Sequence, residues 1–141
     1  MSNTPMEKRT NSEFITKANG DVLIAGLGIG LIVLPIQDKE NIKSITIIEK
    51  QQEIINMVAS QLPLNNKVNI ICDDIFNYIP NKIYDTIYLD IWPYVNSDIY
   101  KEEMLPLKNK YRKYLVSKNK NPNRFIKCWA EQEARYDRCL Y

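Results

Sequence analysis

Four blocks of consecutive apolar residues punctuate the chain: "VLIAGL" (22–27), "SITIIEK" (44–50), "KVNIICDD" (67–74) and "YDTIYLDIW" (84–92). Each has strand length, and the first three are apolar at neighbouring rather than alternate positions. That pattern belongs to strands covered on both faces. The segments between them differ in period. Leu31–Gln37 is short and apolar, a helical turn or two opened by glycines and limited by Pro35. "QQEIINMVASQL" (51–62) carries Ile54, Ile55, Val58 and Leu62 at helical spacing, and Pro63 ends it. "IFNYIP", after the third block, is a short connection. Strands alternating with helices predict crossover units, hence an α/β chain with a parallel sheet and helices on both faces.

The two ends read differently. Residues 1–12 are polar and are expected to fray, which leaves 13–97 as the core. Residues 98–141 form a basic, tyrosine-rich tail completing the same domain. Within it, 99–118 reads as helix with Leu107, Tyr111, Tyr114 and Leu115 on one side, started or kinked by Pro106. "NKNPN" (119–123) is a loop. Residues 124–128 admit a fifth strand. A helix is preferred, because Phe125, Ile126, Trp129, Ala130 and Ala134 fall on one stripe.

With 141 residues and 45% apolar content, the chain is sized for one domain with a real core. It contains no histidine, so proton transfer falls to Asp, Glu, Tyr, Lys or Cys, and no metal is expected. Three cysteines without a CxxC pair indicate neither a disulfide framework nor a zinc site. No apolar run has membrane-span length and the start lacks an apolar leader, so a cytoplasmic setting without membrane contact is expected. The net charge of +2 is divided unevenly, with 8 basic and 11 acidic residues through position 97 and 11 basic and 6 acidic after it. The basic tail (Lys108, Lys110, Arg112, Lys113, Lys118, Lys120, Arg124, Lys127) is either a solvated face, the preferred reading, or a phosphate contact.

The candidate chemistry sits at the strand ends. Three of the chain's four glycines, Gly26, Gly28 and Gly30, follow the first apolar block. A glycine turn between a strand and a helix lets a ligand approach the backbone where free N–H groups are offered. Glu49 ends the second strand about 20 residues on, the position from which a carboxylate accepts from both ribose hydroxyls. Leu31 replaces the last glycine of the dinucleotide pattern G-x-G-x-x-G, giving G-x-G-x-G instead. Asp73 and Asp74 end the third strand, where an acid suits the exocyclic amine of adenine while Ile75 or Phe76 packs on the ring. Asp90 ends the fourth, at the mouth of the same cleft.

In order and spacing these four motifs, spanning residues 20–95, resemble those of class I S-adenosylmethionine-dependent methyltransferases. The series "VLIAGLGIG…ITIIEKQQEII…IICDDIFNYI…YDTIYLDIWP" is closest to the spermidine-synthase-like branch. The resemblance implies a Rossmann-like, mostly parallel sheet of order 3-2-1-4, a fifth strand next if present, and a helical C-terminal tail. It implies S-adenosylmethionine as cofactor, with Gly26, Gly28 and Gly30 beneath its methionine part, Glu49 on the ribose, and Asp73 or Asp74 on the adenine amine. Asp90 would face the cofactor's amino group or orient the acceptor. "DIWPY" is similar to the "DPPY" of methyltransferases acting on nucleic-acid bases, with one residue added and one proline lost.

The resemblance also has gaps. The full family fold has seven strands, so a C-terminally shortened version is expected. Strand four would then be an edge that the tail or a second subunit must cover. Three functions follow: methyl transfer to a small-molecule or nucleic-acid acceptor, a catalytically silent cofactor-binding or protein-interaction module, and aminopropyl transfer. The last is disfavoured, because the second sequence block of polyamine synthases is missing.

Overall fold

The structure is a computed structural model and describes residues 5–27, 32–92 and 95–135. Five strands form one sheet: β1 (Gly20–Ala25), β2 (Ile42–Glu49), β3 (Val68–Cys72), β4 (Thr86–Leu89) and β5 (Phe125–Cys128). Their spatial order is β3-β2-β1-β4-β5 and every pairing is parallel. The helices are α1 (Pro5–Lys17), α2 (Val33–Gln37), α3 (Gln52–Gln61), α4 (Ser97–Ile99), α5 (Leu105–Tyr111) and α6 (Glu131–Arg135). This is the parallel α/β sheet expected from the block pattern, in the Rossmann-like order that the resemblance implies.

Side chains alternate between two cores, as the two-residue period of a strand requires. Val22 and Ile24 of β1, Ile45 and Ile47 of β2, and Tyr88 of β4 enter one core with Phe14 of α1, Ile36 of α2 and Val58 of α3. Leu23, Ala25, Ile87 and Leu89 enter the other, with Met104, Leu107 and Tyr111 from the segment between β4 and β5. Both faces of the sheet are therefore dry, which explains the consecutive apolar runs.

Residues 125–128 form a strand, not the preferred helix. Phe125 packs against the first core and Ile126 against the second, so neighbours face opposite ways. Main-chain pairing settles the choice, with Phe125 opposite Thr86 and Cys128 opposite Leu89. Strand four is consequently not an edge. β5, a part of the tail, lies along it, which is one of the two covers expected there. The tail's helical part is also interrupted. α4 runs through a π-helical turn (Tyr100–Met104) into α5, with the Leu105 N–H bonded to the Tyr100 carbonyl. Pro106, one residue later, has no N–H to donate and crowds the preceding turn, so the widening falls where proline demands it.

From Pro5 onward the N-terminal segment is helical, and residues 1–4 of the stretch expected to fray lie outside the described residues. Tertiary contacts hold it. Phe14 stacks on Tyr88 with ring centroids 4.2 Å apart, and the Tyr88 hydroxyl donates to the Asn11 side-chain Oδ1 at 2.8 Å. Lys39 Nζ closes the helix end by donating to the carbonyls of Ile15, Thr16 and Ala18. Lys127 reaches Glu13 at 2.7 Å; with Lys17 it holds that carboxyl well below its usual range, at about 2. Tyr88→Phe should cost about 1 kcal/mol, the net worth of one buried hydrogen bond, read as a lower thermal midpoint.

Candidate functional site

In an open parallel sheet a ligand crevice forms at the carboxyl ends of the strands, where the chain order reverses. Here the reversal lies between β1 and β4. The four strand ends are laced there by backbone bonds. Gly26 N–H donates to the Ile48 carbonyl at 2.9 Å, Asp90 N–H to Ala25 at 2.9 Å, and Asp73 N–H to Glu49 at 3.1 Å.

Gly26 has φ of +94°, and a Cβ at that position would overlap the carbonyl oxygen of Asp90. The first glycine of the turn thus lets β1 leave the sheet while pressed against the end of β4. Gly28 and Gly30 lie outside the described residues, as do Pro93 and Tyr94.

Glu49 is only 8% exposed, a costly placement for a carboxylate unless it is well bonded. Its Oε1 accepts from the Leu27 N–H of the glycine turn at 2.9 Å, and its Oε2 from the Gln51 N–H at 3.0 Å. One side chain therefore fastens the turn after β1 to the approach of α3. Each carboxylate oxygen has a second lone pair left for a hydroxyl donor.

Asp90 is 6% exposed and stands beside Gly26. Asp73 is exposed, and its Oδ1 accepts from the Asp74 N–H at 2.7 Å. Asp74 is half-buried; its Oδ1 accepts from the Phe76 N–H at 3.0 Å while Lys50 lies 3.9 Å from Oδ2. Both acids thus shape the turn after β3. Ile75 is sunk in the second core, and Phe76 is the exposed member of the pair. The structure brings Gly26, Glu49 and Asp90 together, with Asp73 and Asp74 one strand further out.

Two features carried no signal in the sequence. One is the partner of Trp92, which the sequence already suggests is a wall residue: its buried indole donates from Nε1 to Glu103 on the π-helical turn at 3.0 Å. The turn after β3 is gripped from α5 by Lys110 and Tyr111. Three of the eight tail cations are engaged within the chain, while Arg112, Lys113, Lys118 and Lys120 are exposed. Lys108 pairs with Glu131 at 2.9 Å, Lys110 with the Phe76 carbonyl, and Lys127 with Glu13. No described helix is long and apolar enough to cross a membrane.

No family model matches the chain, and no curated protein matches it. Solved structures do. The plantazolicin methyltransferase BpumL, in complex with a pentazolic desmethylPZN analog and SAH, aligns at TM-score 0.60 and 25% identity, over 81% of this chain and 45% of BpumL. The N-methyltransferase NodS from Bradyrhizobium japonicum WM9 aligns at 0.63 and 16% identity, over 82% of this chain and 66% of NodS. DhpI, solved with SAM, aligns at 0.59 and 18% identity over 77% of this chain and 49% of its own. The chain thus spans less than half the length of BpumL, and its fold is that of S-adenosylmethionine-dependent class I methyltransferases.

Proposed function

We propose that the chain binds S-adenosylmethionine and acts as a methyltransferase on a small-molecule acceptor. The observation that carries this reading is the buried Glu49 carboxylate at the end of β2, bonded to the Leu27 N–H in the turn that contains Gly26, at the strand ends where the chain order reverses. A glycine with no room for a Cβ and an anchored ribose-type acid fit an adenosyl ligand. The kinship of fold with BpumL, solved with SAH, points the same way.

When bound, the sulfonium supplies an activated methyl group, so the protein's task is alignment and exclusion of water. Glu49 would hold the ribose, Asp73 or Asp74 the adenine amine, and Ile75 the floor behind it. Gly26, with Gly28 and Gly30, would pass beneath the methionine part. Asp90 would orient or accept a proton from an amine or hydroxyl acceptor.

A nucleic-acid acceptor is the weaker reading, since Lys108, Lys110 and Lys127 are already bonded within the chain. Aminopropyl transfer, the reaction of the spermidine-synthase-like branch, is weaker still. It needs acids available to a cationic polyamine, whereas Glu103 holds Trp92 and Glu49 holds two backbone N–H groups. Calorimetric titration with S-adenosylhomocysteine should give one saturable site. Incubation with methyl-labelled cofactor and small-molecule extract should then label a product. Binding without any labelled product would select a silent cofactor-binding module, and no binding would end the reading altogether.

A further inference from the structure

α5 lies far from the strand ends in sequence, yet two consecutive side chains at its end grip the turn that follows β3. The Tyr111 hydroxyl lies 2.5 Å from the Ile75 carbonyl oxygen and 3.1 Å from that of Tyr78. Lys110 Nζ lies 2.6 Å from the Phe76 carbonyl oxygen. Three carbonyls within four residues are thus met by donors from one helix end. We propose that Tyr111, assisted by Lys110, is a positioning residue that sets the aim of Asp73 and Asp74, and thereby the choice of base in the bound nucleoside.

The other bonds that define this turn are local, with the Asp73 and Asp74 carboxylates accepting from the Asp74 and Phe76 N–H groups. Asn77 and Tyr78 donate their N–H groups to the Asp74 carbonyl at 2.9 and 2.8 Å, which closes one helical turn but does not fix its tilt against the sheet. No regular helix joins β3 to β4, and Ile79 beyond the turn is 73% exposed. Packing anchors the segment at Ile75 and, through half-buried Tyr78, against the same core, and the donors from α5 tie its carbonyls to that core as well. Tyr111 is itself fully buried, with its ring in the second core beside Leu107 and Ile75. Burial, with lesser contributions from Tyr78, Tyr114, Asp73 and Asp74, pushes its phenol well above the ordinary range. It therefore stays protonated, and a donor, at neutral pH. A hydroxyl on a ring that cannot move is a rigid reference point, and the carboxylates one and two residues before Ile75 inherit its position.

This inference rests on the proposed cofactor site, so its test has one arm that needs no ligand. In the free protein, Tyr111→Phe should raise hydrogen exchange at Phe76, Asn77 and Tyr78 about tenfold, the factor equivalent to 1.4 kcal/mol, and leave the amides of β1 unchanged. The ligand arm compares S-adenosylhomocysteine with its deaminated, inosine-containing analogue. Wild type should prefer the adenine form because a carboxylate accepts from an amine and repels a carbonyl. In Tyr111→Phe that preference should fall about tenfold, while affinity for the inosine form holds. A general loss of structure would lower both affinities in proportion, and that result overturns the proposal. So does unchanged exchange at 76–78. Should Tyr111→Phe fail to fold, Lys110→Met keeps the aliphatic stem and removes only the donor to Phe76, with the same two readouts. Wild type that binds neither compound defeats the cofactor reading, while faster exchange in the variant would still uphold the clamp.

Discussion

Gly26→Ala is expected to destabilise the protein by about 2–5 kcal/mol, measured as a lower denaturant midpoint at constant slope. Two effects add. An L-residue held at φ of +94° gives up about 1–2 kcal/mol relative to glycine. The new methyl group would also overlap the Asp90 carbonyl oxygen and lie 3.0 Å from its carbon. That neighbour is backbone, tied by the Asp90 N–H to Ala25 at 2.9 Å, so it cannot rotate away. Forcing the strands apart adds about 1–3 kcal/mol of overpacking. A domain of this size has about 5–15 kcal/mol in hand, so the loss is a large share of the whole. Any variant that does fold should have a displaced Asp90 and a crevice of altered width. A stability within about 0.5 kcal/mol of wild type would contradict the close approach of β1 and β4.

How far the sequence discloses this arrangement depends on whether a residue's partner is local or distant. β1, β2 and β4 are legible because residues facing both ways are buried, which writes an apolar run into the chain, and β3, half-buried at the sheet edge, still carries a short one. α3 is legible because one of its faces is wet, so Ile54, Ile55 and Val58 recur at helical spacing. β5 is not legible in this way. It has only four residues, one of them Lys127, and adjacent Phe125 and Ile126 satisfy a helical stripe as well as a strand. Only the ladder with β4, a tertiary fact, separates the two. α1 is similar: Asn11, Phe14 and Ala18 are spaced as one helical face, but they are few among polar neighbours, and Tyr88 is what holds them.

The site divides along the same line. Gly26, Glu49 and Asp90 could be placed beforehand because strand ends in a parallel sheet converge by topology alone, so a count of residues suffices. What those groups bond to could not be read. The Glu49 carboxylate reaches back 22 positions to the Leu27 N–H, and Trp92 reaches forward to Glu103. Tyr111 reaches back 36 positions to Ile75. Each of these depends on where loops come to rest, which no period in the sequence encodes. The consequence is a shift in what Gly26 explains. A glycine that reads in the sequence as a ligand turn is first a solution to the packing of β1 against β4.

Glu49→Ala should act on stability and binding at once, and the two losses can be told apart. Removing the carboxylate leaves the Leu27 and Gln51 N–H groups without their acceptor. Both lie at a site that is 8% exposed, so water replaces the lost bonds incompletely, and the fold should lose about 2–4 kcal/mol. The same substitution should weaken S-adenosylhomocysteine by about 1–3 kcal/mol, the scale of a charge-assisted hydrogen bond to a hydroxyl. Glu49→Gln separates these contributions. Its amide oxygen still accepts one of the two backbone N–H groups, but its NH2 confronts the other, so about half the stability should return. Affinity should not recover in step, because the amide has no negative charge to strengthen a ribose contact and has only one accepting oxygen. Calorimetry on both variants, with their unfolding midpoints measured alongside, therefore gives two numbers that move differently. If Glu49→Gln restored stability and affinity equally, the carboxylate would be a clasp for the glycine turn and nothing more. If affinity stayed low while the fold recovered, the same two oxygens would serve the turn with one lone pair each and the ligand with the other.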